Sequence, residues 1–399
     1  MPKGARRATV VLLAGCLALA GVSVVAAGAA AKKVKAVPYN IGIVTSTTGS
    51  SVATLSVVEP TLDAWVKAVN ASGGIKGGHK IKLYQATDAD AASALTAVQN
   101  LVTQHHIIAL FDNSPEDYAF QTYVDSIKLP VVGTEYNGKL FNTDPNFFSV
   151  SSPEANLGLN ILTTIQKSGK TKVAVMYCAE YAACNNTQAL FGPYLAQTGT
   201  TLSYVAAISG SAPNYTANCL AAQQAGATAL VVFEPGAIGQ KVYDNCVAQG
   251  YSPLFVSTTS LAIPAWLSDP SMNGAELFSP NVPDFVSSTP ATKAEFAALA
   301  KYDSGVLISA NFSAEVPNTW VSGKALQLAM TNAKMGNKPS IAGMHKGFDT
   351  FKNETFGGMA PPITVKNGQT VLPSCVFTEY ISGGKWKLNN GLKLTCPSA

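Results

Sequence analysis

The sequence predicts an α/β fold of two similar lobes, each a doubly wound parallel sheet covered by helices on both faces. Three observations predict it. Short apolar strands alternate with amphipathic helices from residue 38 onward, a rhythm that requires parallel strands. The rhythm starts afresh after Pro153. The chain has 399 residues, about 368 of them beyond an apolar N-terminal stretch, too many for one ordinary core.

The elements follow in order. Tyr39–Val44 reads as a strand, and Leu55–Asn70 as a helix with Val58, Leu62, Trp65, Val66 and Val69 at helical spacing. Ala71-Ser72-Gly73-Gly74 ends that helix. Lys80–Gln85 is a strand, Ala91–Gln104 a helix, Ile107–Phe111 a strand, Pro115–Ile127 a helix and Pro130–Gly133 a strand. In the second run, helices at Glu154–Lys167, Asn185–Gln197, Tyr215–Ala225 and Gly236–Gln249 alternate with strands at Lys172–Tyr177, Thr201–Ala207, Ala229–Phe233 and Leu254–Ser257. A third, less regular section offers a strand at Leu277–Ser279, helices at Thr292–Tyr302 and Thr319–Lys334, and a C-terminal hairpin of Cys375–Ile381 with Lys385–Leu388.

The N-terminus carries Lys3, Arg6 and Arg7, then an uncharged apolar run from Ala8 to Ala31 that ends in small residues. That is the pattern of a secretory signal peptide. The run also has the length of an uncleaved membrane anchor. Leu13-Ala14-Gly15-Cys16 matches a bacterial lipoprotein site that would lipidate Cys16. An exported chain is expected on each reading: a periplasmic protein, or one held at the outer face of the membrane.

Without residues 1–31 the chain holds 24 Lys, 23 Asp plus Glu, and no Arg. A near-neutral surface lacking the fork-shaped guanidinium argues against nucleic acid as a partner. An anionic ligand group would have to be held by backbone N–H, hydroxyls or Lys. Six cysteines follow Cys16, and an even number in an exported chain implies disulfides. The favoured pairs are the sequence neighbours Cys178–Cys184, Cys219–Cys246 and Cys375–Cys396. The histidines (His79, His105, His106, His345) are not spaced with them as zinc ligands, so no metal is expected.

No catalytic signature stands out, and no cofactor is implied. Gly73-Gly74-Ile75-Lys76-Gly77-Gly78 follows a helix and precedes a strand, the reverse of a dinucleotide loop, so it reads as a turn. Asp88/Asp90 and Glu116/Asp117 suit the first turns of helices, and His105-His106 suits a helix C-terminus. Ligand binding is favoured over a secreted hydrolase.

Several stretches resemble the type I solute-binding proteins of branched-chain amino acid ABC transporters, the leucine/isoleucine/valine-binding class. They are Ile41-Gly42-Ile43 with Thr48–Ser50, Ala68-Val69-Asn70-Ala71-Ser72-Gly73-Gly74-Ile75, Lys80-Ile81-Lys82-Leu83 leading to Asp88, and Leu129-Pro130-Val131-Val132. The Asn-x-x-Gly-Gly-Ile turn is the most specific. The resemblance implies a periplasmic-binding-protein-like fold type I with three hinge crossovers, near residues 150, 275 and 357. Lobe 1 would be 37–150 plus 276–356, and lobe 2 would be 151–275 plus 357–399. It further implies a monomeric receptor that hands a small amino acid, amine or amide to a membrane permease. A sensory module using the same clamp is the alternative.

Ligands of open α/β sheets bind beyond the carboxyl ends of the strands. The expected ligand-binding residues are therefore Ser46, Ser114, Tyr118, Glu135, Tyr136, Asn137, Tyr181, Phe233, Glu234, Thr258 and Thr259. Ser114 matches a family serine, and Tyr181 a second-lobe tyrosine. Glu135-Tyr136-Asn137 departs from the small neutral residues that hold the ligand carboxylate in the family. The family acid that takes the ligand ammonium is absent at Thr258-Thr259, and Glu234 is the candidate replacement.

Overall fold

The computed structural model describes residues 35–46, 51–133, 138–151, 154–180, 184 and 187–397. The apolar N-terminal stretch with Cys16, read above as a signal segment, the triplet Glu135-Tyr136-Asn137 and Tyr181 lie outside the described residues. Among those described, no helix is long and apolar enough to cross a membrane.

The first run folds as β1 (Tyr39–Ser46), α1 (Ser51–Leu55), α2 (Val58–Ala71), β2 (Ile81–Asp88), α3 (Ala91–His105), β3 (Ala109–Asn113), α4 (Asp117–Ile127), β4 (Val131–Gly133), α5 (Gly138–Thr143) and β5 (Phe147–Phe148). Its strands form a parallel five-stranded sheet ordered β2-β1-β3-β4-β5. Alternate residues feed opposite faces, as the two-residue period of a strand requires. Ile41, Ile43, Phe111 and Val132 enter one core, while Val44, Leu110 and Val131 enter the other.

The second run folds as α6 (Glu154–Lys167), β6 (Lys172–Cys178), α7 (Thr187–Phe191), α8 (Leu195–Thr198), β7 (Thr201–Ile208), α9 (Thr216–Gln224), β8 (Ala229–Phe233), α10 (Gly236–Ala248), β9 (Leu254–Thr258) and β10 (Glu276–Ser279). The expected single helix over 185–197 is broken at Gly192-Pro193, because proline cannot donate in a helix interior. The last section adds α11 (Pro290–Tyr302), α12 (Ser304–Leu307), α13 (Glu315–Ala333), α14 (Ile341–Phe348), β11 (Thr364–Lys366), β12 (Gln369–Val371), β13 (Phe377–Ile381) and β14 (Trp386–Leu388). The second sheet runs β14-β13-β10-β9-β8-β6-β7, parallel except for the C-terminal hairpin.

Two crossovers fall later than the sequence pattern places them. β10 pairs with β9 and β13, and its Leu277 is buried in the second lobe's core, so the chain returns to the first lobe after Ser279 rather than near 275. Phe356, Met359, Ala360, Ile363 and Val365 pack into the first lobe's core, so the last crossing lies beyond Val365 rather than near 357. Both shifts have the same cause. A short apolar segment joins whichever core can bury it, and its own residue pattern does not say which.

The glycine-rich turn is built as its residues demand. Gly73, Gly74, Gly77 and Gly78 all have positive φ, and Ile75 bridges to His79 and enters the core. A Cβ on Gly74 would lie 2.4 Å from the His79 carbonyl oxygen, so only glycine fits. Asp90 caps α3 by accepting from the Ser93 N–H in a capping box. His105 ends α3 and stacks on Tyr84 with ring centroids 4.2 Å apart. Cys178–Cys184, Cys219–Cys246 and Cys375–Cys396 are bonded.

Candidate functional site

Each sheet has a point where the strand order reverses. In the first, β1 lies between β2 and β3; in the second, β6 lies between β7 and β8. The helices that follow the two neighbouring strands leave from opposite faces there, which opens a crevice beyond the strand ends. The residues at the carboxyl ends are Ser46 and Asn113-Ser114 in the first lobe, and Cys178 to Glu180 with Phe233-Glu234 in the second.

In the first lobe these side chains are buried and polar. Ser46 donates to Asp88 at 2.5 Å, tying the ends of β1 and β2. The Ser114 N–H donates to Asp112, and the Ser114 hydroxyl oxygen accepts from the Glu116 N–H, so the turn into α4 is held by its own side chains. Asn113 is buried with neither amide atom hydrogen-bonded. Buried amides almost always find partners, so Asn113 belongs with the candidate site, although an Asn within an apolar strand pattern gave no sequence signal. Tyr118, 55% exposed, stands on the first turn of α4. Ser322 of α13 donates to the Gly133 carbonyl at the end of β4 and fixes that end against the helix.

The second lobe contributes acids and hydroxyls. Glu234 is 2% exposed, and neither carboxyl oxygen has a hydrogen-bond partner. Burial, helped by the nearby charge of Glu180, pushes its carboxyl up to about 8, so it is protonated at neutral pH. Glu180 differs: it is exposed and accepts from the Ser209 hydroxyl and the Gly210 N–H. Thr258 and Thr259 are buried at the end of β9. Phe233 does not turn toward the crevice. It packs into the second lobe's core with its ring stacked on Phe191, because strand alternation sends it and Glu234 to opposite sides.

The lobes touch beside these ends. The Ala314 N–H, just before α13, donates to the Thr259 carbonyl. Asn281, in the second crossover, is buried against Asn318 of α13. Among the described residues, no group of three or more His, Cys, Asp or Glu is arranged to hold a metal ion.

Comparison with known proteins agrees with this architecture. The family model described as periplasmic binding protein matches residues 38–385. The chain belongs to the periplasmic binding protein family. Binding proteins of this family work outside the cytoplasm, take up small molecules and deliver them to ABC permeases. No curated protein sequence matches the chain.

Solved structures share the fold at low identity. A branched-chain amino acid ABC transporter protein from Thermus thermophilus with bound valine aligns with a TM-score of 0.79 and 11% identity, covering 90% of this chain and 96% of that one. A solute-binding protein from R. palustris in complex with benzoate gives 0.71 and 14%, covering 91% and 97%. A fatty acid ABC transporter substrate-binding protein from Thermomonospora curvata gives 0.74 and 15%, covering 90% and 92%. The fold is therefore the type I binding-protein fold, and neighbours that share it carry ligands as different as valine and benzoate.

Proposed function

We propose that this chain is the extracytoplasmic receptor of an ABC importer for an amino acid or a related small amine or amide, gripped between two closing lobes. The observation that carries the ligand class is Glu234: a buried acid with two unpaired oxygens, at the strand-order reversal of the second sheet. As a neutral acid it donates and accepts, which suits an amide. When an ammonium arrives, the opposite charge favours its ionised form. The chain beyond residue 31 has no Arg to pair a second anion, and a desolvated unpaired carboxylate is expensive.

Ser46, Asn113, Ser114 and Tyr118 are the first lobe's contribution, with Glu234, Thr258 and Thr259 opposite them. Glu135, Tyr136, Asn137 and Tyr181 complete the proposal from the sequence alone. Glu135 would repel a carboxylate where family relatives accept one, which supports the same ligand class. The role is binding without turnover.

A thermal-shift screen tests this reading. L-leucine, γ-aminobutyrate, putrescine, acetamide, L-glutamate and glucose 6-phosphate are each compared with buffer. Stabilisation by an amine or amide and none by glucose 6-phosphate is the expected result. Stabilisation by glucose 6-phosphate alone contradicts it, and stabilisation by L-glutamate alone removes the argument from ligand charge.

A further inference from the structure

A second group of buried acids lies away from the strand ends, at the seam where the C-terminal hairpin of the second lobe meets the first. Glu379 of β13 stands opposite Leu277 of β10 and Leu388 of β14, so the three side chains share one face. Leu277 belongs to the second lobe's core, and Leu388 packs against the first lobe's core. Glu379 is thus held between the two cores. It is 1% exposed, and neither carboxyl oxygen has a hydrogen-bond partner.

Two more carboxyls belong to the same electrostatic group, with Asp284 as the link between them. Asp284 sits in the second crossover, just before Phe285, whose ring stacks on Trp386 of β14 at 6.5 Å. Glu295 of α11 is 1% exposed with Oε1 unpaired. Asp284 acts electrostatically on both Glu295 and Glu379. Among the described residues, Lys324 of α13, partly buried, is the cation that acts on Glu295. On α13, Glu315 is also buried, nine residues before Lys324. Glu276, Tyr380 and Lys387 share the opposite face of the hairpin, and Lys293 and Lys301 of α11 are exposed.

Two buried carboxyls, with a half-buried third and one ammonium beside them, cannot all ionise cheaply. Burial pushes Asp284 up to about 7; burial, then the charge of Asp284, pushes Glu295 up to about 8 and raises Glu379 as well. Neutral carboxyls are therefore the cheaper state here, beside the contact of Phe285 in the crossover with Trp386 of the hairpin.

We propose that Asp284, Glu295 and Glu379 form a proton-operated latch at the hinge: neutral, they let the lobes pack together; ionised, they repel across the seam and open the clamp. The proposal rests on the two-lobe fold and not on the identity of the ligand. Uptake by such a receptor would depend on external pH even for a ligand that does not titrate.

The test uses the chain from Lys32 onward without ligand. Small-angle scattering of the wild-type chain, and the emission of a variant in which Trp65, Trp266 and Trp320 are replaced by Phe so that Trp386 alone reports, are followed from about pH 6 to about pH 9.5, a span that brackets the raised carboxyls. The radius of gyration should rise with a midpoint near pH 8, and the Trp386 emission should shift red with it. The double variant Glu295→Gln, Glu379→Gln should remove both changes. A radius that stays constant in the folded wild-type chain overturns the proposal, as does an undiminished rise in the double variant. If the double variant does not fold, hydrogen exchange of the wild-type chain decides. After correction for the intrinsic pH effect, residues 280–286 and 377–388 should lose protection above about pH 8, while β6 and β8 keep theirs. A uniform loss across all four segments refutes the latch.

Discussion

The Thr259 carbonyl, at the end of β9, accepts a hydrogen bond of 3.4 Å from the Ala314 N–H that precedes α13. The two residues belong to segments packed with different sheets, and Thr259 directly follows the carboxyl end of β9. A contact this long is weak and would oppose a rotation about the crossovers only slightly. Bound ligand would bridge them and stabilise one closed form. Scattering with and without saturating ligand should show a smaller radius of gyration in the complex. An unchanged radius would mean a rigid receptor.

The six bonded cysteines make a second expectation. Alkylation without reduction, followed by mass spectrometry, should leave Cys178, Cys184, Cys219, Cys246, Cys375 and Cys396 unmodified. In the chain-entropy account a loop the length of Cys219–Cys246 stabilises by about 3.5 kcal/mol, so replacing both cysteines with Ser should lower the thermal midpoint clearly.

Glu234 gives a pH dependence of stability whose sign is fixed. The unfolded side chain titrates near 4.5 and the folded one near 8. Between those values the folded chain holds a proton that the unfolded chain has lost. Stability therefore falls as pH rises through about 8. Glu234→Gln should flatten that fall in thermal unfolding measured on either side of the transition. Equal slopes in wild type and variant would show that Glu234 is already ionised in the folded state.

Helix packing in the first lobe can be tested at one glycine. A Cβ on Gly323 of α13 would lie 2.6 Å from the indole of Trp65 on α2, which is itself fully buried. Gly323→Val should cost about 1–3 kcal/mol through overpacking, read as a lower midpoint in urea unfolding. A neutral substitution would mean that the two helices can separate at little cost.

Much of this architecture is legible in the sequence because its strands and helices carry clean periodicity. Leu62, Trp65 and Val69 mark α2, and the glycine turn after it reads as a turn because of where it falls. The crossovers are harder to read. Leu277 and Ile363 sit in short apolar stretches that either core could bury, and only sheet pairing decides between them. At the site, Glu234 is legible from its place after an apolar strand. Phe233 is misleading, because adjacent residues leave a strand on opposite sides. Asn113 is missed for the opposite reason: its unpaired amide is a property of packing, with no composition or spacing to announce it. Glu295 and Glu379 are likewise ordinary acids in the sequence, and become informative only once the fold buries them together.

Calorimetry on the wild-type chain and on Glu234→Gln tests the central claim most directly. The account predicts that an amine or amide from the screen binds the wild-type chain. It also predicts that Glu234→Gln weakens an amine ligand by about 1–3 kcal/mol, the range of a charge-assisted hydrogen bond. Dicarboxylates and phosphorylated sugars should bind poorly to both. Tight binding of L-glutamate or glucose 6-phosphate, unaffected by Glu234→Gln, would contradict it.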